Sequence, residues 1–308
     1  MNLSQISKLT EDQARETLER IRWPNGVTCP HCGRIDGHTK LQGKAHRAGV
    51  WKCNNGCARQ FTATVGTVME GSHISIRHWL MAFSILCSAK KSVSALQMQR
   101  QLGLGSYRSA WHLCHRIRFA MSRNPLKGLL DGVVMVDESF IGGKPRPMKG
   151  VKRKGGPTGK RTTIVALVER GGRARSWPIA DVTANTLQDA IRDNVKPSAA
   201  IQTDQLMSYK GVGKWFAGGH QTVNHAKFEF ARGDVSTNEA ESFFALLKRG
   251  ITGSFHSVSK QHLHRYCSEF SYRWSERKTT DADRTVKALT MIEGGRLMYK
   301  EPVRKKTA

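Results

Sequence analysis

Val133-Val134-Met135-Val136-Asp137-Glu138-Ser139 decides the fold class. Four apolar side chains follow one another without a polar break, and an acid closes the run. A continuous apolar run of this length fits a strand buried on both faces. Downstream, Thr162 to Val168 and Ser176 to Ala180 read as further strands. Ala199 to Thr203 reads as a short strand that delivers Asp204. Ala184 to Val195 and Thr237 to Gly250 read as helices. Strands and helices interleave, so the class is α/β with a mixed sheet and flanking helices.

Asp137 and Asp204 each stand at the end of an apolar strand. Neighbouring strands bring such ends together at one edge of a sheet. Glu241 lies in the first turn of the helix Ser236-Thr237-Asn238-Glu239-Ala240-Glu241-Ser242-Phe243-Phe244-Ala245-Leu246-Leu247-Lys248-Arg249-Gly250. Ala240, Phe243, Phe244 and Leu247 form its apolar stripe. Glu241 and Lys248 are two turns apart and share another face. Asn238 lies near that face and is the reserve ligand. Glu138 points away from Asp137, because side chains alternate along a strand. Asp181, Asp189 and Asp193 are ordinary surface or capping acids. Three converging carboxylates are the hard oxygen set that suits magnesium or manganese. Two such ions can neutralise charge on both sides of a phosphorus.

The segment 142–161 holds eight Lys or Arg and no acid, and its Gly and Pro make it a loop. Lys144, Lys152, Arg153 and Lys154 within it are candidate phosphate contacts, as are Lys248 and Arg249 on the helix.

Cys29-Pro30-His31-Cys32 and Cys53-Asn54-Asn55-Gly56-Cys57 are separated by 20 residues. Two such knuckles supply the four thiolates of a closed structural zinc site. The segment is too small for a core, so the metal would supply its folding energy. His31 is a spare donor that the four sulfurs make unnecessary. Cys87, Cys114 and Cys267 lack partner spacing and read as buried apolar residues.

Residues 10–22 form a helix with Thr10 and Gln13 as a capping box. Residues 74–123 are helical. Trp79, Phe83 and Leu86 line one stripe; a second helix starts near Ser94 and stops at Gly103-Leu104-Gly105; a third follows from Ser106. The spacing suits a helix-turn-helix. On the third helix Ala110, Cys114, Ile117 and Met121 share one face. Arg108, His112, His115 and Arg116 are expected on the other, free to meet DNA.

The boundaries that follow are an N-terminal helix at 1–26, a zinc ribbon at 27–73, and a helical DNA-binding segment at 74–127. A catalytic domain at 128–280 with the basic insertion, and a basic tail at 281–308, complete the chain. The tail carries Arg304, Lys305 and Lys306. Lys plus Arg is 50 against 24 acids, a net charge of +26. That balance points to a polyanion, since phosphates neutralised by basic side chains release counterions. No run approaches the roughly 20 apolar residues that span a bilayer, and no signal peptide precedes the first helix. A cytoplasmic protein, associated with the nucleoid when on DNA, is expected.

Taken together, Cys29-Pro30-His31-Cys32-Gly33, Val136-Asp137-Glu138-Ser139-Phe140-Ile141-Gly142-Gly143-Lys144, Thr203-Asp204, Val223-Asn224-His225 and Thr237 to Gly250 carry a family likeness. Over most of residues 20–280 the chain resembles the ISXO-like transposases of insertion sequences. The resemblance implies a zinc ribbon followed by a ribonuclease-H-like domain with an acidic triad. It makes Asp137, Asp204 and Glu241 the magnesium or manganese ligands, and Lys248 a DNA contact. Some relatives use asparagine in third place, which keeps Asn238 open. His225 would order the loop before the last helix. Phe243-Phe244 departs from an aromatic such as Trp in relatives. The implied chemistry is cleavage at the element's terminal inverted repeats, then transfer of the freed 3′-hydroxyl to target DNA. Pairing two ends implies a homodimer or larger oligomer. Two rivals remain. One is a non-enzymatic DNA-binding regulator built on the ribbon and helix-turn-helix. The other is a structure-specific nuclease of the same fold.

Overall fold

The computed structural model describes residues 1–123, 128–143, 161–224, 229 and 231–299. The chain forms two compact units. One is Met1–Arg123 with Thr279–Ala308; the other is Asn124–Lys278.

The first unit opens with two helices, α1 (Leu3–Ser7) and α2 (Glu11–Arg22), where one was expected. Thr10 caps α2, and Thr10 and Gln13 close the expected capping box. Ala14 and Leu18 bury its apolar stripe. Three short strands follow, β1 (His38–Lys40), β2 (Trp51–Cys53) and β3 (Gln60–Phe61), paired antiparallel in that order. Then come α3 (Ile76–Ser88), α4 (Ala95–Leu102) and α5 (Tyr107–Arg123). Ser94 caps α4, and Gly103 ends it at φ +63°, a left-handed conformation that costs glycine least. Trp79, Phe83 and Leu86 of α3 are buried as the stripe predicts.

The face of α5 expected to be free is not free. Ala110, Cys114, Ile117 and Met121 are buried, but so are His115 and Arg116. The ring Nε2 of His112 pairs with the Leu297 carbonyl at 3.1 Å. Tyr299 stands edge-on to both Trp111 and His112. Residues near the C-terminus thus cover one side of α5, a long-range contact that a helical wheel cannot reveal. Of the basic side chains proposed there for DNA, Arg108 alone is fully exposed.

The second unit is built on a five-stranded mixed sheet. Its strands are β4 (Val133–Ile141), β5 (Thr162–Glu169), β6 (Ala174–Ile179), β7 (Ala200–Asp204) and β8 (His220–Val223), in the order β6-β5-β4-β7-β8. β4, β5 and β6 form an antiparallel meander. β7 and β8 run parallel to β4. The mixed sheet with helices on both faces is the α/β class that the sequence leads one to expect. Helix α6 (Ala184–Arg192) packs on one face through Leu187 and Ile191, against Val134, Val136, Val165, Leu167 and Ile201. A short hairpin, β9 (Ala231–Arg232) and β10 (Val235–Ser236), leads into α7 (Asn238–Gly250). α7 and α8 (Leu263–Ser275) cover the other face, where Phe243, Leu247, Cys267 and Phe270 meet Met135, Ile164, Ala166 and Val168.

The chain then returns to the first unit. Residues 281–308, expected as a basic tail, begin with a helix, α9 (Asp281–Thr290), that packs on α2 and α3. Thr280 caps it, and Ala288 and Leu289 are buried. Arg304, Lys305 and Lys306 lie outside the described residues. Among the described residues, no helix is long and apolar enough to cross a membrane.

Candidate active site

Strand parity sorts the acids. Val134 and Val136 face α6, whereas Met135 and Ile141 face α7 and α8. Alternation therefore turns Asp137 toward α7 and Glu138 toward α6. The structure bears this out for Glu138, whose carboxylate accepts the Tyr209 hydroxyl at 2.6 Å on the α6 side. On β7, Ile201 faces α6, so Gln202 and Asp204 face α7.

Asp137 is not at the end of its strand. β4 runs on to Ile141, because antiparallel β5 stays paired as far as Thr162 opposite Ile141. Parallel β7 pairs β4 only over Val133, Met135 and the residue between, opposite Ala200 to Gln202. Continuing that register sets Asp137 level with Asp204, the last residue of β7. The two carboxyl groups thus share one face at the point where the parallel pairing has opened.

Glu241 approaches this face from the first turn of α7, whose stripe of Ala240, Phe243, Phe244 and Leu247 is buried against the sheet. The buried Thr237 hydroxyl donates to Glu241 Oε1 at 3.3 Å. Glu239 fixes the same turn from its other side, accepting from the Gly171 N–H at 2.8 Å and from Arg277 at 3.2 Å. Asn238, the reserve third ligand, is exposed at the first position of the helix. Lys248 and Arg249 are exposed near its far end. Lys248 is about 10 Å along the axis from Glu241, at 1.5 Å per residue.

Gln202 is a residue that sequence reasoning passed over. It is 2% exposed and lies two residues before Asp204 on the same face. Its side chain accepts from the Ser236 N–H and donates to the Asp234 carbonyl, each at 3.2 Å. It therefore ties β7 to the hairpin that feeds α7, and so Asp204 to Glu241. The signal was present: an amide inside Ala200-Ile201-Gln202-Thr203-Asp204 must find partners when buried.

The electrostatics fit a cation. Burial, with Glu138, Asp204 and Glu241 as negative neighbours, pushes the Asp137 carboxyl up to about 7. Its Oδ1 accepts the Glu138 N–H at 2.8 Å, which offsets part of that rise. Asp204 Oδ1 accepts the Leu206 N–H at 3.0 Å. Among the described residues neither Asp137 nor Asp204 forms an ion pair. Hard oxygen donors such as Asp137 and Asp204, which share a face without an ion pair among the described residues, are donors a divalent cation neutralises. The three acids do not form a closed cage. Among the described residues, only the four cysteines form a set whose ligand atoms all lie within 4.8 Å of one another. Asp181 is a capping residue, accepting from the Thr183 N–H and from the hydroxyls of Thr183 and Thr186. Lys144, Lys152, Arg153, Lys154 and His225 lie outside the described residues.

The cysteine set is compact. Cys29 and Cys57 place their sulfurs 3.6 Å apart, and Cys32 and Cys53 3.7 Å apart. A tetrahedron with zinc–sulfur bonds near 2.3 Å has edges of about 3.8 Å, so the spacing fits zinc. A Cβ on Gly56 would lie 3.1 Å from Cys32 Sγ and 3.2 Å from Cys53 Sγ, so the cradle admits only glycine comfortably. The Arg34 N–H lowers the Cys32 thiol to about 6, while burial raises that of Cys29 to about 11. His31 is exposed and outside the set. Cys87, Cys114 and Cys267 are buried.

Comparison with known proteins follows the same division. The ISXO2-like transposase domain matches residues 129–275, and the transposase zinc-ribbon domain matches residues 9–60. A protein of transposable element ISH50 from Halobacterium salinarum is 25% identical over 276 residues, which cover 86% of this chain and 91% of that protein. Two solved structures overlap more loosely, each at 15% identity and a TM-score of 0.24. One is a pre-cleavage Mos1 transpososome, the other a Mos1 mariner paired end complex with Mn; each overlap covers 65% of this chain and 77% of that one. The chain thus carries a stretch that matches the ISXO2-like transposase domain behind one that matches the transposase zinc-ribbon domain.

Proposed function

We propose that this transposase binds the terminal inverted repeats of its element and catalyses metal-dependent DNA strand cleavage followed by strand transfer. The observation that carries the proposal is the register that sets Asp137 level with Asp204, together with the Asp137 carboxyl raised by burial and then by Glu138, Asp204 and Glu241. These three would hold two magnesium or manganese ions. When bound, the ions supply Lewis acidity at the attacked phosphorus and at the leaving oxygen. The protein's part is to hold the acids rigidly, β4 and β7 by the sheet and Glu241 by the anchored first turn of α7. Lys248 and Arg249 would contact DNA phosphates from α7, and Arg108 from the other unit. Lys144, Lys152, Arg153 and Lys154 would add phosphate contacts next to Asp137 in sequence. Four cysteines would hold a structural zinc in the ribbon. Two ends must be joined, so the active species on DNA is at least a homodimer.

The test is a strand-transfer assay on labelled DNA bearing the element's ends, with magnesium or manganese. Glu241→Gln and Asp137→Ala should lose cleaved and joined products by at least a hundredfold while retaining DNA binding. Full activity in Asp137→Ala would overturn the assignment. Cleavage without joining would favour a nuclease of the same fold, and binding without either product a regulator.

A further inference from the structure

The first unit contains a second site of charge. A pocket of about 440 Å³ opens between α3, α5 and the segment 296–299, within the ~300–1,000 Å³ usual for small ligands. Arg116, Arg296, Trp79, His112, Ser109 and Tyr299 are on its wall. Arg116 is 4% exposed. Its guanidinium lies 5.2 Å from the centre of the Trp79 ring and donates to the Glu70 carbonyl. Its Nε is buried without a partner. Burial, and then the nearby charge of Arg296, lower the Arg116 guanidinium to about 10. Glu70 attracts Arg116 and offsets part of that lowering, but it forms no ion pair with it; its carboxylate accepts the Gly66 N–H at 3.0 Å. Among the described residues neither arginine is in an ion pair.

Two guanidiniums share one pocket wall and one of them is buried with an unused donor, so an anion between them would relieve their repulsion and satisfy that donor. Guanidinium forks match the oxygens of phosphate in pairs. The volume exceeds what a bare phosphate needs, and Tyr299, 51% exposed, supplies an aromatic edge for an attached sugar or base. We propose that this pocket binds the phosphate of a nucleotide, separately from the acidic site. A DNA strand or a free nucleotide can present that group. The DNA source rests on the transposase proposal; the phosphate site does not.

The experiment is calorimetric titration of the full-length, zinc-loaded protein with inorganic phosphate and with thymidine monophosphate, beside a salt series with duplex DNA. Arg296 is exposed, so Arg296→Gln should fold normally. Arg116→Lys keeps the buried charge and tests the fork. Wild type should bind thymidine monophosphate one to one, and Arg296→Gln should weaken it at least about tenfold. A DNA source adds a drop of about one in the salt slope of DNA binding for Arg296→Gln. An unchanged slope with weakened nucleotide binding identifies a free nucleotide. If neither small probe binds wild type more tightly than Arg296→Gln, and the salt slope is the same in both, the site does not exist. Asp137→Ala should leave nucleotide binding intact, so failure of the acidic site and failure of this pocket read out separately.

Discussion

Gly250→Ala pits two effects against each other, and the structure decides the sign. Gly250 is the last residue of α7 and is buried. Replacing a helical glycine with alanine ordinarily stabilises by about 1 kcal/mol. Here a Cβ would lie 2.1 Å from Cζ of Phe270 and 2.8 Å from its Cε1. Carbon atoms rest near 3.5–4.0 Å, so the ring must retreat by roughly 1.5 Å. Phe270 is 0% exposed and sits in the cluster with Phe243, Leu247 and Trp274. Overpacking of this kind costs about 1–3 kcal/mol, and a contact this short belongs at the upper end. The net expectation is a loss of about 1–2 kcal/mol. Urea unfolding reads it as a lower midpoint at unchanged slope. Introduced into a Phe270→Leu background, the same alanine should be neutral or stabilising. The two sites then show a coupling within the ~0.5–3 kcal/mol of touching residues. A higher midpoint for Gly250→Ala alone would refute the reasoning. So would an equal loss in both backgrounds, because the clash with Phe270 would then not be its source.

Two other predictions concern the tethers of the two sites. Gln202→Leu keeps the volume but takes the amide oxygen from the Ser236 N–H and from Arg170, while the Asp234 carbonyl keeps its bond from Arg170. It should cost about 1–3 kcal/mol of stability. Strand cleavage should fall further than DNA affinity, measured by nicking and by gel shift on the same preparations. Cys29→Ser should lose its equivalent of zinc by elemental analysis and open the ribbon to proteolysis between residues 27 and 62, while the second unit resists. Retention of full zinc content would contradict the four-cysteine site.

Much of the site was legible because its signals are local. The capping box at Thr10, the stripe of Ala240, Phe243, Phe244 and Leu247, and the paired cysteine knuckles each lie within a few turns of chain. What escaped the sequence was set by distant partners. Asp137 lies mid-strand because β5 pairs on beyond it, which the apolar run alone does not disclose. Arg116 and His112 looked free because their partners are distant in sequence: Glu70 lies 46 positions from Arg116 and Leu297 185 from His112. α8 was readable in principle. Leu263, Tyr266, Cys267, Phe270 and Trp274 recur at helical spacing, but the interspersed Arg and Ser weaken the contrast between faces. α9 was hidden by the basic composition of the segment that follows it.

The return of the chain to its first unit sets an order of assembly. The Val68 N–H donates to the Ile292 carbonyl, and Thr67 bridges to Glu293, so the unit that begins at Met1 is closed by residues near the C-terminus. On the ribosome, residues 124–278 emerge before α9 does. The sheet that carries the acids can therefore form while the unit with the cysteines and the arginine pocket still lacks its last helix. A message cut short between Lys278 and α9 would yield the reverse of a domain deletion: the ribbon would be present in sequence but its unit left open.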